Sequence, residues 1–203
     1  MATTTRRATK RTATRARLLE AARGLIGEGG FDAVTIAEVT ERADVGFGTF
    51  YGYFESKDAV VRAVILDAMA TLAESNDALT KALDDPAEVV ATAIRHTLAT
   101  VDGDAVFAGF IVRVALSTDE ELWAALRDRM RRDIDLGIRA GRFTVDDPAV
   151  AGHMIGGAVL GVLRAKLAGE LDAAADPHVA ASALVLLGVP ETEARKIATR
   201  RLP

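Results

Sequence analysis

Residues 35–57 of this 203-residue chain, TIAEVTERADVGFGTFYGYFESK, constrain the fold more than any other stretch. Thr35 and Glu38 have the spacing of a capping box, with Thr35 as the N-cap of a helix. Val34 and Val39 have the spacing of a hydrophobic staple, which fixes how the chain enters that helix. The stretch therefore predicts a helix that begins at Thr35.

A turn and a second, short helix are predicted to follow. The turn residues lie at 44–46, and glycines at positions 46, 48 and 52 each weaken the helix by about 1 kcal/mol relative to alanine. That helix therefore keeps its shape only if Phe50 and Phe54 pack against neighbouring elements. Ser56 is placed to cap a third helix whose first residue is Lys57, and such a helix end attracts anions. This arrangement is typical of a DNA-binding helix-turn-helix.

The letters ADVGFGTFYGYFESKDAV, with LIGEGGFDAVTIAEV upstream, resemble the N-terminal domain of the TetR family of one-component bacterial transcription regulators. The chain departs from the family pattern at Asp44, where glycine is commoner, and at Gly46, where a hydroxyl residue is frequent. Further along, the helix count and the segment GRFTVDDPAVAG resemble the ligand-binding domain of that family. The N-terminal resemblance covers about residues 14–66 and is carried by Gly48, Thr49, Tyr51, Tyr53, Phe54, Ser56 and Lys57.

The exposed positions of the short helix and its flanks are the predicted DNA contacts. Thr49 is expected to meet a base edge or a phosphate, and Phe47 a thymine methyl group. The hydroxyls of Tyr51 and Tyr53 are expected to donate to phosphate oxygens. An ordinary helix pair inside a bundle is the alternative, but the residue identities favour DNA. The predicted DNA-binding residues are Thr35, Gly46, Phe47, Gly48, Thr49, Tyr51, Gly52, Tyr53 and Lys57.

Basic charge is concentrated at the start of the chain. The net charge is -4, yet residues 1–66 contain ten Lys and Arg against eight Asp and Glu, and residues 67–203 contain fifteen against twenty-one. Residues 1–19 contain six basic residues and no acidic one. A polyanion is therefore expected to bind at this end. Residues 1–11 are predicted to be a flexible basic arm, which either contacts phosphates or the minor groove or is only a solvated tail.

The remaining chain is predicted to be helical throughout. The first helix is expected over residues 12–28, and Asp-Pro pairs at 85–86, 147–148 and 176–177 each predict an Asp N-cap followed by proline. No segment alternates with a period of two, so the fold class is all-α with nine or ten helices. The predicted domains are the arm at 1–11, a three-helix helix-turn-helix domain at 12–57, and a helical ligand-binding and dimerisation domain at 58–203.

The larger domain contains a candidate ligand pocket. Its polar candidates, His96, Arg113 and His153, interrupt apolar helices. Each of them either contacts a ligand in the pocket or is paired with another side chain for structural reasons. Its aromatic residues and Met130 either line the pocket or fill the core. The predicted pocket residues are His96, Phe107, Phe110, Arg113, Trp123, Met130 and His153.

A candidate dimer face lies on a glycine-rich apolar helix. Glycines at spacings of four let another backbone approach closely. They serve either packing within one subunit or, as the family resemblance implies, a seam between two copies. The predicted dimer-interface residues are Gly152, Gly156, Gly157, Leu160, Gly161, Leu184 and Leu187.

The sequence argues against several classes of function. The chain has no cysteine, hence no disulfide or thiolate metal site, and it carries no catalytic, metal-binding or cofactor motif. Its longest uncharged run, residues 148–163, is shorter than the roughly 20 apolar residues of a membrane span. A cytoplasmic protein without cofactor, metal, catalytic activity or membrane partner is therefore expected.

The residues and the resemblance together predict a homodimeric, ligand-responsive transcription regulator. It is expected to be a repressor that a small-molecule effector releases from a palindromic operator in double-stranded DNA. Two other classes stay open: a DNA-organising helix-turn-helix protein without an effector, and a helical small-molecule carrier or enzyme. An enclosed cavity of roughly several hundred Å3 in the larger domain would argue against the first of these.

Overall fold

The computed structural model describes the backbone of residues 2–115 and 120–203 and the side chains of residues 9–109, 112 and 127–203. The described residues form ten α-helices and two short 3₁₀ helices, with no strand among them. The predicted all-α class is therefore confirmed. The contacts divide the chain into two compact units, Met1–Asp67 and Ala68–Pro203.

The first unit contains three helices and the beginning of a fourth. Its elements are α1 (Ala2–Gly29), a 3₁₀ turn (Phe31–Ala33), α2 (Ile36–Arg42), α3 (Phe47–Phe50) and α4 (Lys57–Thr80). The side chains of Leu18, Val34, Val39, Phe50 and Val60 are fully buried. Each of these five lies on a different segment, so the core depends on all of the elements together.

α1 is longer than predicted, because it begins at Ala2 and not at Thr12. The residues before Thr12 include no glycine or proline, and alanine, arginine and lysine all favour helix. The Thr14 hydroxyl donates to the carbonyl oxygen of Lys10 at 3.0 Å, a bond made within the helix. The arm predicted for residues 1–11 is thus corrected to a helical extension of α1, with Met1 outside the described residues.

α4 has residues in both units. Its buried residues Val60 and Val64 lie in the first unit, where the Arg23 guanidinium of α1 bonds to the Asp67 carboxylate at 3.2 Å. The division between the units falls after Asp67, whereas the sequence placed it after residue 57. About three turns of α4 therefore belong with the helix-turn-helix.

The second unit contains the rest of α4 and six more helices: α5 (Pro86–Gly103), α6 (Ala105–Ala115), α7 (Glu120–Arg139), α8 (Pro148–Leu167), α9 (Asp176–Leu186) and α10 (Glu191–Ala198), with a 3₁₀ turn (Ala173–Ala175). α5 is central, since it packs against each of the five helices that follow it. Its buried residues Val90, Ile94 and Leu98 recur at helical spacing and form its apolar face.

Two of the three predicted Asp-Pro caps are confirmed. Asp85 and Asp147 each accept a hydrogen bond at 2.9 Å from the backbone N–H two residues further on. The third prediction is wrong, because Asp176 is the first residue of α9 and Ala175 occupies the N-cap position. The Asp176 carboxylate instead accepts a hydrogen bond from the ammonium group of Lys166.

Asp85 also joins three segments through Arg142, which lies between α7 and α8. The Arg142 guanidinium donates to Asp85 at 2.8 Å and to Glu193 on α10 at 2.7 Å. Burial raises the pKa of Asp85, but the hydrogen bonds from Arg142 and Ala87 outweigh burial, so this pKa lies below its usual value. The ionised Asp85 carboxylate therefore stabilises the fold at neutral pH, and this stabilisation is lost as the pH falls through the lowered pKa.

α8 has the length and composition of a membrane span. It is 20 residues long and its most apolar window has a mean hydropathy of 1.3. The sequence predicted a segment too short to span a membrane, because only the uncharged residues 148–163 were considered. The helix continues beyond them. One such helix is weak evidence, since core helices of soluble proteins pass the same test. Ile155, Leu163 and Lys166 of α8 are buried inside the second unit.

Candidate functional site

The N-cap predicted at the start of α2 is present. Thr35 is the N-cap, and its side-chain oxygen accepts a hydrogen bond from the backbone N–H of Glu38 at 3.2 Å. The Thr35 hydroxyl also donates to the Glu38 carboxylate at 2.6 Å, so a DNA phosphate must compete with that carboxylate for it. Val34 and Val39 are fully buried, as a hydrophobic staple requires.

The end of α2 is joined to α1 by an ion pair that the sequence did not predict. Both terminal nitrogens of Arg42 donate to the Glu28 carboxylate at 2.7 Å. Hydrogen bonding to Arg42 lowers the pKa of Glu28. A Cβ at Gly24 would lie 2.8 Å from the Arg42 guanidinium, so the glycine lets this side chain cross α1. α2 is thus held at both ends.

The turn between α2 and α3 contains a residue in the left-handed region of the backbone. Asp44 has a φ of 49°, the only positive φ among the non-glycine residues that the structure describes. Residues with a Cβ lose about 1–2 kcal/mol there, and aspartate is among the few that tolerate it. This geometry explains why glycine is the commoner residue at this position of the motif.

Replacing Asp44 by glycine and by alanine tests the turn. Asp44→Gly is expected to keep the free energy of unfolding, whereas Asp44→Ala is expected to lie about 1 kcal/mol below the glycine variant, because only alanine places a Cβ in the strained conformation. Urea denaturation followed by circular dichroism measures both variants. Equal stability would show that the turn relaxes without cost.

α3 presents two aromatic rings to solvent and buries a third. Phe50 is in the core, as is Phe54 just beyond the helix, and both were predicted there. Phe47 is 54% exposed and Tyr51 is 52% exposed, and their rings meet edge to face with centroids 5.7 Å apart. The ring of Tyr51 also contacts that of Phe50 edge to face at 5.6 Å. A buried ring thus supports an exposed pair that is free to meet DNA.

The three glycines around α3 have different surroundings. A Cβ at Gly46 would lie 3.7 Å from the Thr49 hydroxyl, and one at Gly52 would lie 3.3 Å from the Thr49 carbonyl oxygen. A Cβ at Gly48 would meet no described atom within 4 Å. Packing of the unit therefore does not require glycine at position 48. Open space beside α3 is what the close approach of a DNA backbone needs.

Two arginines of α1 lie over aromatic rings just after α3. The guanidinium of Arg11 is 5.5 Å from the ring centre of Tyr53, and that of Arg15 is 5.5 Å from the ring centre of Phe54. Both distances suit a cation–π interaction. The sequence showed the basic residues but not these contacts; the only signal was their spacing of four, which places them on one helix face.

Lys57 begins α4, as predicted, and Ser56 caps the helix. The Ser56 hydroxyl oxygen accepts a hydrogen bond from the backbone N–H of Ala59 at 3.1 Å. No ion pair of Lys57 occurs among the described residues, so its ammonium group is available beside the N-terminus of α4. A helix N-terminus and a cation together favour a phosphate at this position.

The second unit contains a cavity of about 480 Å3 between α4, α5, α7 and α8. Glycines of α8 leave part of its wall without side chains. The larger apolar residues of the wall are Met69, Leu72, Ile94, Met130, Val159 and Leu160. Its polar residues are Asn76, Thr97, Asp133, His153 and three arginines of α7, Arg127, Arg129 and Arg131. The exposed surface of the wall is mainly apolar with polar groups at several points, which is the usual composition of a small-molecule site.

The predicted pocket residues do not all line one cavity. Met130 and His153 line the 480 Å3 cavity. His96 and Phe107 line a separate space of about 250 Å3, because His96 lies on a different face of α5 from Ile94. That part of the predicted set is therefore corrected. The side chains of Phe110, Arg113 and Trp123 lie outside the described residues.

The glycine row of α8 has space beside it among the described residues. A Cβ at Gly156, Gly157 or Gly161 would meet no described atom within 4 Å. Gly161 is exposed. Four residues predicted for the dimer interface also line the cavity: Gly152, Gly156, Gly157 and Leu160.

The choice of Leu184 and Leu187 for the predicted dimer interface is wrong. Leu184 and Leu187 are fully buried in the protomer and are unavailable to a second copy. Val185 and Leu186, between them in sequence, are exposed instead. A helix turns by about 100° per residue, so two residues three positions apart share one face. The two residues between them point away from that face.

Charged side chains link α7 to α4 beside the cavity. Arg129 pairs with Asp77, and Arg132 lies 3.4 Å from Asp77 and 2.9 Å from Asp133. Arg129 and the buried Asp133 are also part of the cavity wall. No group of three or more residues suited to hold a metal occurs in the described part of the chain.

Comparison with known families decides the class of protein. Residues 18–64 match the bacterial regulatory proteins of the tetR family, and residues 85–200 match the tetracyclin repressor-like C-terminal domain. The chain belongs to the TetR family. The predicted family and the predicted ligand-responsive, DNA-binding transcription regulator are thereby confirmed.

Solved structures of RolR resemble this TetR-family chain along nearly its whole length. RolR in complex with resorcinol has a TM-score of 0.79 and 38% identity, covering 97% of this chain and 98% of RolR. RolR without ligand has a TM-score of 0.77 and 36% identity, covering 93% and 98%. The transcriptional repressor KstR of Rhodococcus jostii is 51% identical over 43 residues, or 21% of this chain. The chain thus matches about a fifth of the length of that curated relative.

Proposed function

We propose that this protein is a homodimeric repressor that leaves a palindromic operator when a small molecule occupies the 480 Å3 cavity. The path of α4 is the observation that carries the proposal. This helix begins at Lys57, shortly after α3, and its residues Met69 and Asn76 line the cavity further along. One continuous helix therefore carries both a candidate DNA contact and a candidate ligand contact.

The operator contacts are assigned from the exposed side of the first unit. Phe47 and Thr49 meet base edges, while Tyr51 and Lys57 bind phosphates. Tyr53 is stacked by Arg11, so its hydroxyl reaches a phosphate with a cation close by. Gly48 leaves room for the backbone of the duplex.

The dimer is assigned to the outer faces of α8 and α9, which pack against each other. Val150 and Met154 of α8 and Val185 and Leu186 of α9 are exposed large apolar residues. Contiguous patches of such residues mark protein interaction surfaces. A twofold dimer presents two copies of α3, and these enter successive major grooves when they lie about 34–36 Å apart.

Control by the ligand follows from its preference for one dimer conformation. A ligand lowers operator affinity when it binds more tightly to a dimer conformation that is unable to span both half-sites. The size of the effect is set by the difference in ligand affinity between the two conformations. A coupling of about 1–3 kcal/mol, typical of allosteric proteins, weakens DNA binding roughly 5- to 150-fold. DNA must weaken ligand binding by the same factor.

The ligand is proposed to be a small molecule with a mainly apolar body. The methionine, leucine and isoleucine side chains of the cavity wall favour such a body. RolR, which is 38% identical over nearly the whole chain, is described with resorcinol, so single-ring phenols are the first compounds to screen.

Two other classes of function fit less well. A DNA-organising protein has no use for a cavity of about 480 Å3, and the family matches are to transcription regulators rather than enzymes. We therefore propose a non-enzymatic protein that acts in the cytoplasm, where its operator is.

Selection of bound sequences from a random duplex pool tests the function, and Lys57→Ala tests the phosphate contact. The pool is expected to yield an inverted repeat. Lys57→Ala is expected to weaken binding to the repeat and to unrelated duplexes by the same factor. It is also expected to reduce the slope of log K against log salt concentration by about one unit per protomer.

Lys81→Ala is the matched control, because Lys81 follows the other end of α4 and its removal changes the net charge equally. It is expected to leave the slope unchanged. A changed base preference with an unchanged slope in Lys57→Ala would refute the phosphate assignment.

A further inference from the structure

Asn76 is an unusual residue in the wall of the cavity. It lies on α4 and its side chain is only 6% exposed, although most of the surrounding wall is apolar. A buried amide loses several hydrogen bonds to water and must regain them inside the protein. The arrangement of its partners therefore shows which of its atoms remain available to a ligand.

The carbonyl oxygen of the Asn76 amide has a close partner. Its Oδ1 lies 2.8 Å from Nδ1 of His96, and because Oδ1 accepts only, His96 must donate from Nδ1. The Nε2 atom of His96 lies 3.4 Å from the hydroxyl oxygen of Ser75. Burial lowers the pKa of His96, which favours the neutral ring, and in the tautomer protonated at Nδ1 the Nε2 atom accepts from Ser75. The amide is thus fixed in orientation by a chain of two side chains.

The NH2 side of the same amide is only partly used. Among the described residues its one partner is the Thr97 hydroxyl, at 3.4 Å, near the upper limit for a hydrogen bond. An amide nitrogen carries two hydrogens, so at least one remains for another acceptor. Thr97 also lines the cavity, and its hydroxyl can donate as well as accept.

We propose that Nδ2 of Asn76 and the hydroxyl of Thr97 together bind an oxygen atom of the effector, and that His96 is the positioning residue that aims the amide. The effector class is then narrower than the class of all apolar small molecules. It is an apolar ring or chain that carries a hydroxyl or carbonyl oxygen. This inference rests on the proposed function of the cavity and adds the group that the site recognises.

The location of these residues connects recognition to control. Ser75 and Asn76 lie on α4, while His96 and Thr97 lie on α5. An oxygen placed between Asn76 and Thr97 therefore bonds to both helices at once. A ligand of the same shape without that oxygen fills the cavity but makes no such link.

The test compares resorcinol with 1,3-dimethylbenzene, which has methyl groups where resorcinol has hydroxyls. Binding of each compound to the full-length protein is measured by calorimetry. The natural chain is expected to prefer resorcinol by at least about tenfold, since a site that hydrogen-bonds an oxygen rejects an analogue lacking it. Asn76→Leu and Thr97→Val, which keep similar shapes, are each expected to reduce that preference by about tenfold.

The role of His96 is tested by a pair of substitutions. His96→Asn places an amide N–H close to the position of Nδ1 and is expected to keep the preference for resorcinol. His96→Leu cannot donate and is expected to lose it, with the affinity for 1,3-dimethylbenzene unchanged. A purely structural role would change both affinities together in both variants.

The outcomes separate this inference from the proposed function. If both compounds bind the natural chain equally, or if Asn76→Leu and Thr97→Val keep the full preference while folded, oxygen recognition by these residues is refuted and the cavity remains a ligand site. If neither compound binds the natural chain, the inference and the ligand class in the proposed function are both overturned.

Discussion

Lys166→Met is expected to lower the free energy of unfolding by about 3–5 kcal/mol, the largest effect on stability that the structure suggests. The ammonium group of Lys166 is buried and donates to both carboxylate oxygens of Asp176, at 3.0 and 3.1 Å. It also donates to the carbonyl oxygen of Leu98 at 3.0 Å. Methionine fills much of the same space but leaves the buried Asp176 carboxylate without its cation.

The pH dependence of that loss identifies its cause. Burial raises the pKa of Asp176 above its usual value, although Lys166 lowers it. Without Lys166 this pKa must rise further, and a carboxyl group with a raised pKa destabilises the fold fully above that pKa and not at all below its unfolded value. The loss in Lys166→Met is therefore expected to shrink as the pH is lowered from 7 to about 5.

A second substitution in the same cluster serves as the control. The double variant Lys166→Met, Asp176→Leu removes both charges and is expected to recover most of the lost stability, since a buried pair replaced by apolar residues is often neutral. Urea denaturation of the single and double variants at both pH values measures these effects. A loss in the single variant that is below about 1 kcal/mol, or equal at both pH values, contradicts the assignment.

Local signals predicted the first unit well. The Thr35 cap, the Ser56 cap and the burial of Phe50 and Phe54 depend on residues a few positions apart, so the sequence contains them. The extension of α1 to Ala2 was missed, because the prediction read the concentration of arginine as a sign of a flexible arm. The helix propensity of the same residues was the better guide.

Long-range contacts limited the prediction of the second unit. Asp176 precedes a proline and has the local pattern of an N-cap, but its carboxylate bonds to Lys166, ten positions earlier. A buried charge partner outweighs a cap at a helix start, and nothing in the local pattern reveals that partner. The face on which His96 lies depends in the same way on how α5 is rotated among its neighbours.

The glycine row of α8 is the main case in which one pattern has two explanations. Spacing of four predicts close approach of something to the helix, but it does not say of what. In the protomer Gly156 lines the ligand cavity, while Gly161 is exposed outside it. The row therefore divides into a part assigned to the ligand and a part assigned to the dimer.

Gly156→Phe is expected to abolish the response to the ligand while leaving the repressor on its operator. A Cβ at Gly156 meets no described atom within 4 Å and Gly156 lines the cavity, so we expect the ring to enter the cavity. Its volume excludes a ring-sized ligand, and affinity for resorcinol or another cavity ligand is expected to fall about 100-fold or more. Loss of a helical glycine also favours α8 by up to about 1 kcal/mol.

Gly161→Phe is the matched control, because it adds the same ring to the same helix outside the cavity wall. It is expected to keep ligand binding but to weaken the dimer, and with it operator affinity, because the ring stands between the proposed subunits. Operator titrations with and without ligand, together with sedimentation, measure both effects. If Gly156→Phe responds to the ligand normally, the cavity is not the effector site. If Gly161→Phe remains a tight dimer, the interface does not include this part of α8.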